Sequence, residues 1–106
     1  MNDGTLERRL ASEGVDVHPW SNGPGVVYGV HRHDFDKVIV VAAGSIEFDL
    51  VERGERIALA PGDRLEFPAG TAHGATVGSA GVTCLEGHRP LGTLPDEPRR
   101  LIAGDW

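Results

Sequence analysis

Glycine and proline recur along the whole chain and divide it into short apolar segments, which limits what it can fold into. Fifteen glycines and seven prolines are spread over 106 residues rather than clustered. The segments between them are rich in valine and isoleucine, a pattern that is typical of β-strands bounded by tight turns. About eight such segments follow one another at intervals of roughly 8–12 residues, without intervening helices, which predicts an all-β sandwich or barrel.

The segment SIEFDLV, residues 45–51, gives the clearest strand signal, because apolar and acidic residues alternate along it. The apolar residues are Ile46, Phe48 and Leu50, and the acidic residues are Glu47 and Asp49. Such alternation predicts a strand with one buried and one solvated face. The preceding segment, KVIVVA, is predicted to be a separate strand that ends at Ala43-Gly44. The last predicted strand is GVTCLEGH, residues 81–88.

The chain is interpreted as one domain, residues 1–106, since domains most often hold about 100–150 residues. Residues 1–14 carry Leu6 and Leu10 four positions apart, which predicts a short helical extension with one apolar edge. Residues 15–90 contain the predicted strands. Residues 91–106 are predicted to form an irregular tail whose apolar side chains must pack on the body or on a partner. Those apolar residues are Leu101, Ile102 and Trp106.

Charge and cysteine content exclude several functional classes. Ten basic and sixteen acidic residues give a net charge of −6. Phosphate backbones and anionic lipid surfaces attract basic patches, so neither a nucleic acid nor a membrane is expected as a partner. Cys84 is the only cysteine, which excludes an intrachain disulfide. No segment approaches the ~20 apolar residues of a membrane span and no signal-like apolar region is found near the N-terminus, so a cytoplasmic location is expected.

Two histidines, His31 and His33, alternate at the end of the predicted strand VVYGVHRH. Residues i and i+2 of a strand point to the same side, so both imidazoles can reach one metal ion at roughly 2.0–2.2 Å. A solvated surface pair is the alternative interpretation. Strict alternation places Tyr28 on the opposite face of this strand. His73 follows a compact turn at residues 68–70, where a lone histidine is more often structural or solvated than a ligand.

Two motifs, in order and at a suitable separation, make the sequence resemble the cupin superfamily. The first motif of that family is G-x5-H-x-H-x3,4-E-x6-G, and the second is G-x5-P-x-G-x2-H-x3-N. The first is matched by Gly25, His31, His33, Lys37 and Gly44, and the second by Gly62, Pro68, Gly70, His73 and Val77. Two positions depart from the pattern, because Lys37 stands where the family has glutamate and Val77 where it has asparagine.

The resemblance implies a small antiparallel jelly-roll barrel whose motif residues face an internal cavity. It implies that His31, His33 and His73 bind a divalent transition metal, and neutral imidazoles suit Zn, Fe, Mn and Ni alike. The function implied is that of a small-molecule-binding cupin, such as a metal-dependent dioxygenase or a related enzyme. The superfamily's habit of pairing barrels also favours a homodimer.

Lys37 decides between several versions of this site. A protonated amine repels a metal ion, so Lys37 is expected to turn away toward Asp34 or Asp36 and to leave a site of three histidines. In that version the amine remains near enough to act catalytically on an anionic or enolate oxygen of the substrate. A carboxylate of Asp34 or Asp36 is a second source of the missing ligand.

The last predicted strand supplies further cavity candidates. Glu86 and Cys84 share a parity with His88, and either of the first two is a third source of the missing ligand. In the remaining version no metal binds. The three histidines then form a cationic pocket with Lys37 in a metal-free binding module, a sensor or an isomerase-like protein.

Overall fold

The chain folds into one short helix and seven β-strands, and the computed structural model describes residues 3–106. The elements are α1 (Asp3–Ala11), β1 (Val17–Asn22), β2 (Val27–His31), β3 (Asp36–Leu50), β4 (Glu55–Leu59), β5 (Arg64–Phe67), β6 (His73–Arg89) and β7 (Arg99–Leu101). Residues 1 and 2, which the predicted extension 1–14 includes, lie outside the described residues. Among residues 3–106, no helix is long and apolar enough to cross a membrane.

The long strands β3 and β6 run antiparallel at the centre of the fold and belong to two layers of sheet. In the first layer, β1 pairs with the second half of β6, while β5 and β7 extend the sheet beyond the first half of β3. In the second layer, β2 pairs with the first half of β6, and β4 pairs with the second half of β3. The predicted all-β jelly-roll barrel with a short N-terminal helix is therefore confirmed.

Gly44 marks the point where β3 bends from the first layer into the second. The prediction of two separate strands here is wrong, because β3 continues through Gly44 with register shifts on both sides of it. Gly44 has a φ of 74°, and a Cβ at this position would lie 2.0 Å from the carbonyl oxygen of Gly81 on β6. Only glycine accepts both this φ and this close backbone approach, so the residue allows one strand to serve both layers.

Two apolar clusters lie on opposite faces of the first layer. The inner core fills the space between the two layers and consists of Ile39, Val41, Ile46, Phe48, Leu50, Leu59, Leu65, Phe67, Ala75, Val77, Val82 and Cys84. The outer core lies beneath α1 and the C-terminal segment and consists of Leu6, Leu10, Val38, Val40, Ala42, Leu85 and Leu94. Because successive residues of β3 point to opposite faces, its first half contributes to both clusters. The helix therefore packs on the sheet through its predicted apolar edge.

Two predicted boundaries differ from the structure. Residues 99–101 form β7, which pairs with β5, so the tail 91–106 is only partly irregular. Strand β6 begins at His73, eight residues before the predicted start at Gly81. The intervening segment GATVGSA, residues 74–80, is rich in small residues and has few of the bulky side chains that signal a strand, although it pairs with β3 over Gly74–Val77.

Candidate metal centre

Three histidines from different parts of the chain converge at one end of the barrel. His31 ends β2 and lies opposite His73, the first residue of β6, while His33 follows in the connection to β3. One ligand atom from each imidazole lies within 4.8 Å of the other two. The structure thus brings together the three residues for which the sequence resemblance implies metal binding.

Backbone carbonyls orient two of the three imidazoles. The Nδ1–H of His31 donates to the Gly29 carbonyl at 2.8 Å, and that of His73 donates to the Thr71 carbonyl at 2.9 Å. A carbonyl oxygen only accepts, so the proton of each ring is held on Nδ1 and the lone pair lies on Nε2. Metal-binding histidines are usually held in this way, with the second ring nitrogen bound to a carbonyl or a carboxylate.

The Nε2 atom of His73 provides the test of whether a metal fits. It is buried and has no hydrogen-bond partner within the described part of the chain. Burial lowers the pKa of His73 to about 4, so the ring is neutral near pH 7 and Nε2 is a free acceptor. A buried acceptor without a partner is rare and costs stability. A cation held between the three imidazoles would satisfy this atom, so the residues fit a divalent metal.

The turn before β6 holds His73 close to the end of β2. The amide of Gly70 donates to the His33 carbonyl at 2.8 Å, and the amide of Ala69 donates to Asp36 Oδ1 at 2.9 Å. Asp36 also accepts a bond from the Leu94 amide at 2.7 Å. These bonds join the turn, the β2–β3 connection and the C-terminal segment. They fix the position of His33 relative to His73.

Lys37 points into the barrel, and the expectation that it turns away toward Asp34 or Asp36 is wrong. Its side chain is 5% exposed, and Nζ lies 3.1 Å from His33 Nε2 and 5.4 Å from the centre of the Phe67 ring. The reason is strand parity, since odd-numbered residues at the start of β3 face inward while Asp36 faces the turn. Burial lowers the pKa of Lys37, and the charge of Glu86 opposes that effect.

A cavity of about 340 Å³ extends from the histidines toward β1. It is lined by Trp20, Asn22, Tyr28, His31, His33, Lys37, Ile39, Ile46, Phe48, His73, Ala75 and Glu86. The prediction that Tyr28 faces away from the histidines is wrong. A register shift between Tyr28 and His31 turns both side chains toward the cavity, while Val27 and Val30 are 70% and 60% exposed on the outside.

The three further cavity candidates on β6 occupy different environments. Glu86 lines the cavity, whereas Cys84 lies in the inner core, where burial raises the pKa of its thiol to about 12. His88 lies at the rim, stacked on Phe35 with ring centres 4.2 Å apart, and its Nε2–H donates to Glu86 Oε2 at 2.5 Å. Burial alone would raise the pKa of Glu86, but this hydrogen bond and the charge of Lys37 outweigh burial and lower it.

Sequence analysis missed the aromatic wall of the cavity. Trp20 lies on β1 opposite Cys84, and its indole Nε1–H donates to Glu86 Oε1 at 3.1 Å. Its ring meets that of Tyr28 at 71°, with centres 5.9 Å apart. The alternation of side chains along β1 could have indicated that Trp20 faces inward, because the residues on either side of it face outward. Only the pairing of β1 with β6, however, shows which of its faces is the inner one.

Comparisons with known proteins agree with this architecture. The Cupin domain family matches residues 20–88, more than half of the chain. No curated protein matches this chain. A structure described as the DMSP lyases RdDddP and RnDddQII is 32% identical with a TM-score of 0.62, and covers 80% of this chain and 42% of that one. KdgF from Halomonas sp. is 29% identical with a TM-score of 0.58, covering 71% and 70% of the two chains.

A more distant likeness shows the fold alone. A single-residue variant of oxalate decarboxylase from Bacillus subtilis is 19% identical with a TM-score of 0.60. The match covers 83% of this chain but only 24% of the decarboxylase, so the chain spans about a quarter of that protein's length. The family match and the shared fold, together with the three converging histidines, lead to one conclusion: this chain belongs to the cupin family.

Proposed function

We propose that this chain is a metal-dependent cupin that binds a small organic anion and acts on it. His31, His33 and His73 would hold a divalent transition metal through their ring nitrogens. The observation that carries the proposal is the buried Nε2 of His73, which has no partner within residues 3–106 and points to the place where the other two imidazoles converge.

The side chains around this point suit an anionic substrate. A divalent metal supplies Lewis acidity, which polarises a bound carboxylate or carbonyl oxygen. Lys37 adds a positive charge beside His33, at a place where negative charge on a substrate oxygen would be stabilised. Ile39, Ile46 and Phe48 form apolar walls that limit the access of water. Lys37 and His73 are buried, and their low-dielectric surroundings strengthen the electrostatic interactions that they make.

The comparisons favour an enzyme over a passive binding module. The structure with 32% identity is described as lyases, and this chain spans 42% of its length. Elimination or bond cleavage on a small acid is therefore the first reaction to assay. Oxidative cleavage, the dioxygenase chemistry implied by the sequence resemblance, is the second. The assays should compare metal-loaded and chelator-treated protein, with and without O₂.

One observation favours a second candidate, a metal-free pocket. The amine of Lys37 lies 3.1 Å from His33 Nε2, so an ammonium can take the place that a metal would need on that nitrogen. In this version Lys37 supplies the positive charge that holds an anion in a pocket beside the three histidines. The protein would then be a binding module, a sensor or an isomerase-like enzyme.

Elemental analysis of the purified full chain separates the two candidates. We expect close to one transition-metal ion per chain, and anomalous scattering between the three imidazoles. His73→Ala should remove the metal, whereas His18→Ala, a histidine outside this cluster, should retain it. A negligible metal content, together with anion binding that survives His73→Ala, would support the metal-free candidate and contradict the first proposal.

A further inference from the structure

Strand β2 has a free edge at the margin of the second layer. Within residues 3–106 it pairs with β6 alone, so no further strand of the chain meets its other edge. The backbone N–H and C=O groups of such an edge form a template for pairing with another chain. Proteins that avoid this pairing usually protect the edge with proline or with charged side chains. The residues of β2 therefore indicate whether this chain avoids the pairing or permits it.

The other free edges of the two layers carry these protections, whereas β2 does not. Pro19 lies in β1, and Arg99 and Arg100 lie in β7. Glu55 and Arg56 lie in β4. The sequence of β2, VYGVH, contains no proline, aspartate, glutamate, lysine or arginine. Although the net charge of the chain is −6, two copies can meet at this edge without placing like charges opposite each other.

Val27 and Val30 project from β2 on the outside of the barrel. Their side chains are 70% and 60% exposed, so two large apolar groups are in contact with water. Gly29, between them, has no side chain, and a Cβ at this position would meet no atom within 4 Å. Space for a neighbouring strand is therefore available along this part of β2. Covering the two valines would favour association, since burial of apolar surface stabilises contacts between chains.

The order of inward and outward side chains over residues 26–31 is the same in both directions along the chain. Val26 packs against the inner core, and Tyr28 and His31 line the cavity, so these three side chains face inward. The two exposed valines alternate with them, and Gly29 takes the remaining position. Residues that lie opposite each other in an antiparallel pair point to the same face of the sheet. The segment is therefore complementary to a second copy of itself.

We propose that β2 pairs in antiparallel orientation with β2 of a second copy of this chain, and that Val27 of each copy lies opposite Val30 of the other. A two-fold axis between the strands closes this contact, since both copies use the same surface. The same register places Val26 of the second copy opposite His31, the most exposed of the three clustered histidines. The interface would thus shield that imidazole from water. This contact goes beyond the proposed function, which needs only one chain.

Light scattering of the full chain over a range of concentrations tests the contact. We expect a reversible dimer with a dissociation constant on the order of 10 μM, because two five-residue strands bury less than the ~1,200 Å² of a stable interface. Val27→Lys combined with Val30→Lys should weaken the dimer at least about tenfold, because like charges then lie opposite each other. Val27→Lys combined with Val30→Glu places opposite charges together, and this variant should associate at least about tenfold more tightly than the double-lysine variant.

Ile102→Lys is the matched control, because Ile102 is also an exposed apolar residue but lies outside β2. This variant should keep the mass of the original chain. All of these side chains are exposed, so each variant should also keep the original thermal transition.

The outcomes separate this inference from the proposed function. A monomer at every concentration up to about 1 mM would overturn the proposal, as would a double-lysine variant that associates as tightly as the original chain. Equal affinities of the two double variants, or dissociation by Ile102→Lys alone, would also overturn it. The metal content of the same samples reports independently on the three-histidine site. The dimer should be present in both metal-loaded and chelator-treated protein.

Discussion

The position of the Lys37 amine distinguishes the metal-bound version of the site from the metal-free version. Its amine takes the position of the glutamate in the family motif and lies 3.1 Å from His33 Nε2. At about 4 Å and an effective dielectric near 20, a +1/+2 pair costs on the order of 8 kcal/mol before relaxation. Movement of the flexible side chain and screening by solvent remove much of this repulsion. The repulsion that remains should weaken metal binding.

Removing that charge should therefore strengthen metal binding. We expect Lys37→Gln to lower the dissociation constant for Zn²⁺ at least tenfold, which corresponds to about 1.4 kcal/mol. Lys37→Glu should lower it further, because it adds an anionic oxygen ligand. Competition with a chromophoric chelator measures both values. Lys37→Arg keeps the charge and should bind no more tightly than the original chain, and equal affinities for the Gln and Arg variants would refute the role of the charge.

Asp36, the residue before Lys37, has a carboxylate that accepts backbone hydrogen bonds and does not face the histidines. Its side chain is 2% exposed and accepts hydrogen bonds from the amides of Ala69 and Leu94. Burial alone would raise the pKa of this carboxyl, but the backbone hydrogen bonds outweigh burial and hold the pKa below its usual 3.8. A carboxyl whose pKa is lowered by folding stabilises the protein above that usual value. The stabilisation is lost as the pH falls through the lower, folded-state pKa.

Asp36→Asn should consequently destabilise the protein in a pH-dependent way. The amide nitrogen of asparagine cannot accept one of the two backbone bonds, so the free energy of unfolding at pH 7 should fall by about 1–3 kcal/mol. The difference in the free energy of unfolding between the two proteins should narrow as the pH is lowered below about 4, where the carboxyl of the unfolded chain begins to bind protons, and it should continue to narrow until the native carboxyl is protonated at its lower pKa. Urea unfolding at several pH values measures this difference. If the difference in the free energy of unfolding stays constant down to the pH of acid unfolding, the charge of Asp36 does not contribute to stability.

At the scale of elements, the bend in β3 determines whether the two layers can enclose a cavity. Gly44 combines a φ of 74° with a close approach to the Gly81 carbonyl. Gly44→Ala would place a Cβ 2.0 Å from that oxygen, and rigid backbone lies on both sides of the clash. We expect a loss of at least about 3 kcal/mol in the free energy of unfolding, since strain and a steric clash act together.

A matched glycine substitution controls for the general effect of adding a methyl group. A Cβ at Gly23 would meet no atom within 4 Å, and Gly23 does not have a positive φ. Gly23→Ala should change the free energy of unfolding by less than about 0.5 kcal/mol. Chemical denaturation of both variants gives the comparison. Similar losses in the two proteins would mean that the bend at Gly44 tolerates a side chain.

Elements also show where sequence reasoning succeeds and where it fails. Alternation in the second half of β3 places Ile46 and Phe48 correctly, because that segment pairs regularly with β4. The same rule fails for Tyr28, since a single register shift in β2 reverses the parity of every residue before it. Local sequence carries no reliable sign of such a shift. It becomes visible only in the pairing of β2 with β6.

For the whole molecule, the two motifs predict the histidine cluster better than they predict the cavity. Pro68 and Gly70 form the turn before His73. His31 ends β2 and His33 follows it in the connection to β3, so the residues that the motifs space closely meet in one cluster. Trp20 and Glu86 reach the cavity because β1 pairs with β6 more than sixty residues later in the chain. Pairing between strands so far apart in the sequence forms only when the whole barrel folds. The motifs therefore identify the three-histidine cluster but not the rest of the cavity lining.

The C-terminal segment links the outer core to the question of oligomeric state. Trp106 packs on the outer core, and its indole N–H donates to the Gly62 carbonyl at 2.9 Å. The guanidinium groups of Arg9 and Arg64 lie 4.4 and 5.1 Å from the centre of its ring. The apolar tail that suggested a homodimer is thus partly used within the chain, although Ile102 remains half exposed. The homodimer stays a prediction.

Trp106→Ala distinguishes a role within the chain from a role between chains. Loss of partly buried ring contacts and of two cation–π interactions should lower the free energy of unfolding by about 2–3 kcal/mol. Because the first layer separates the outer core from the histidines, metal content should not change. Light scattering should give the same mass for this variant and the original chain, whichever state that is. A change in mass without a change in stability would place Trp106 at an interface instead, and Ile102→Asp would then be expected to have the same effect.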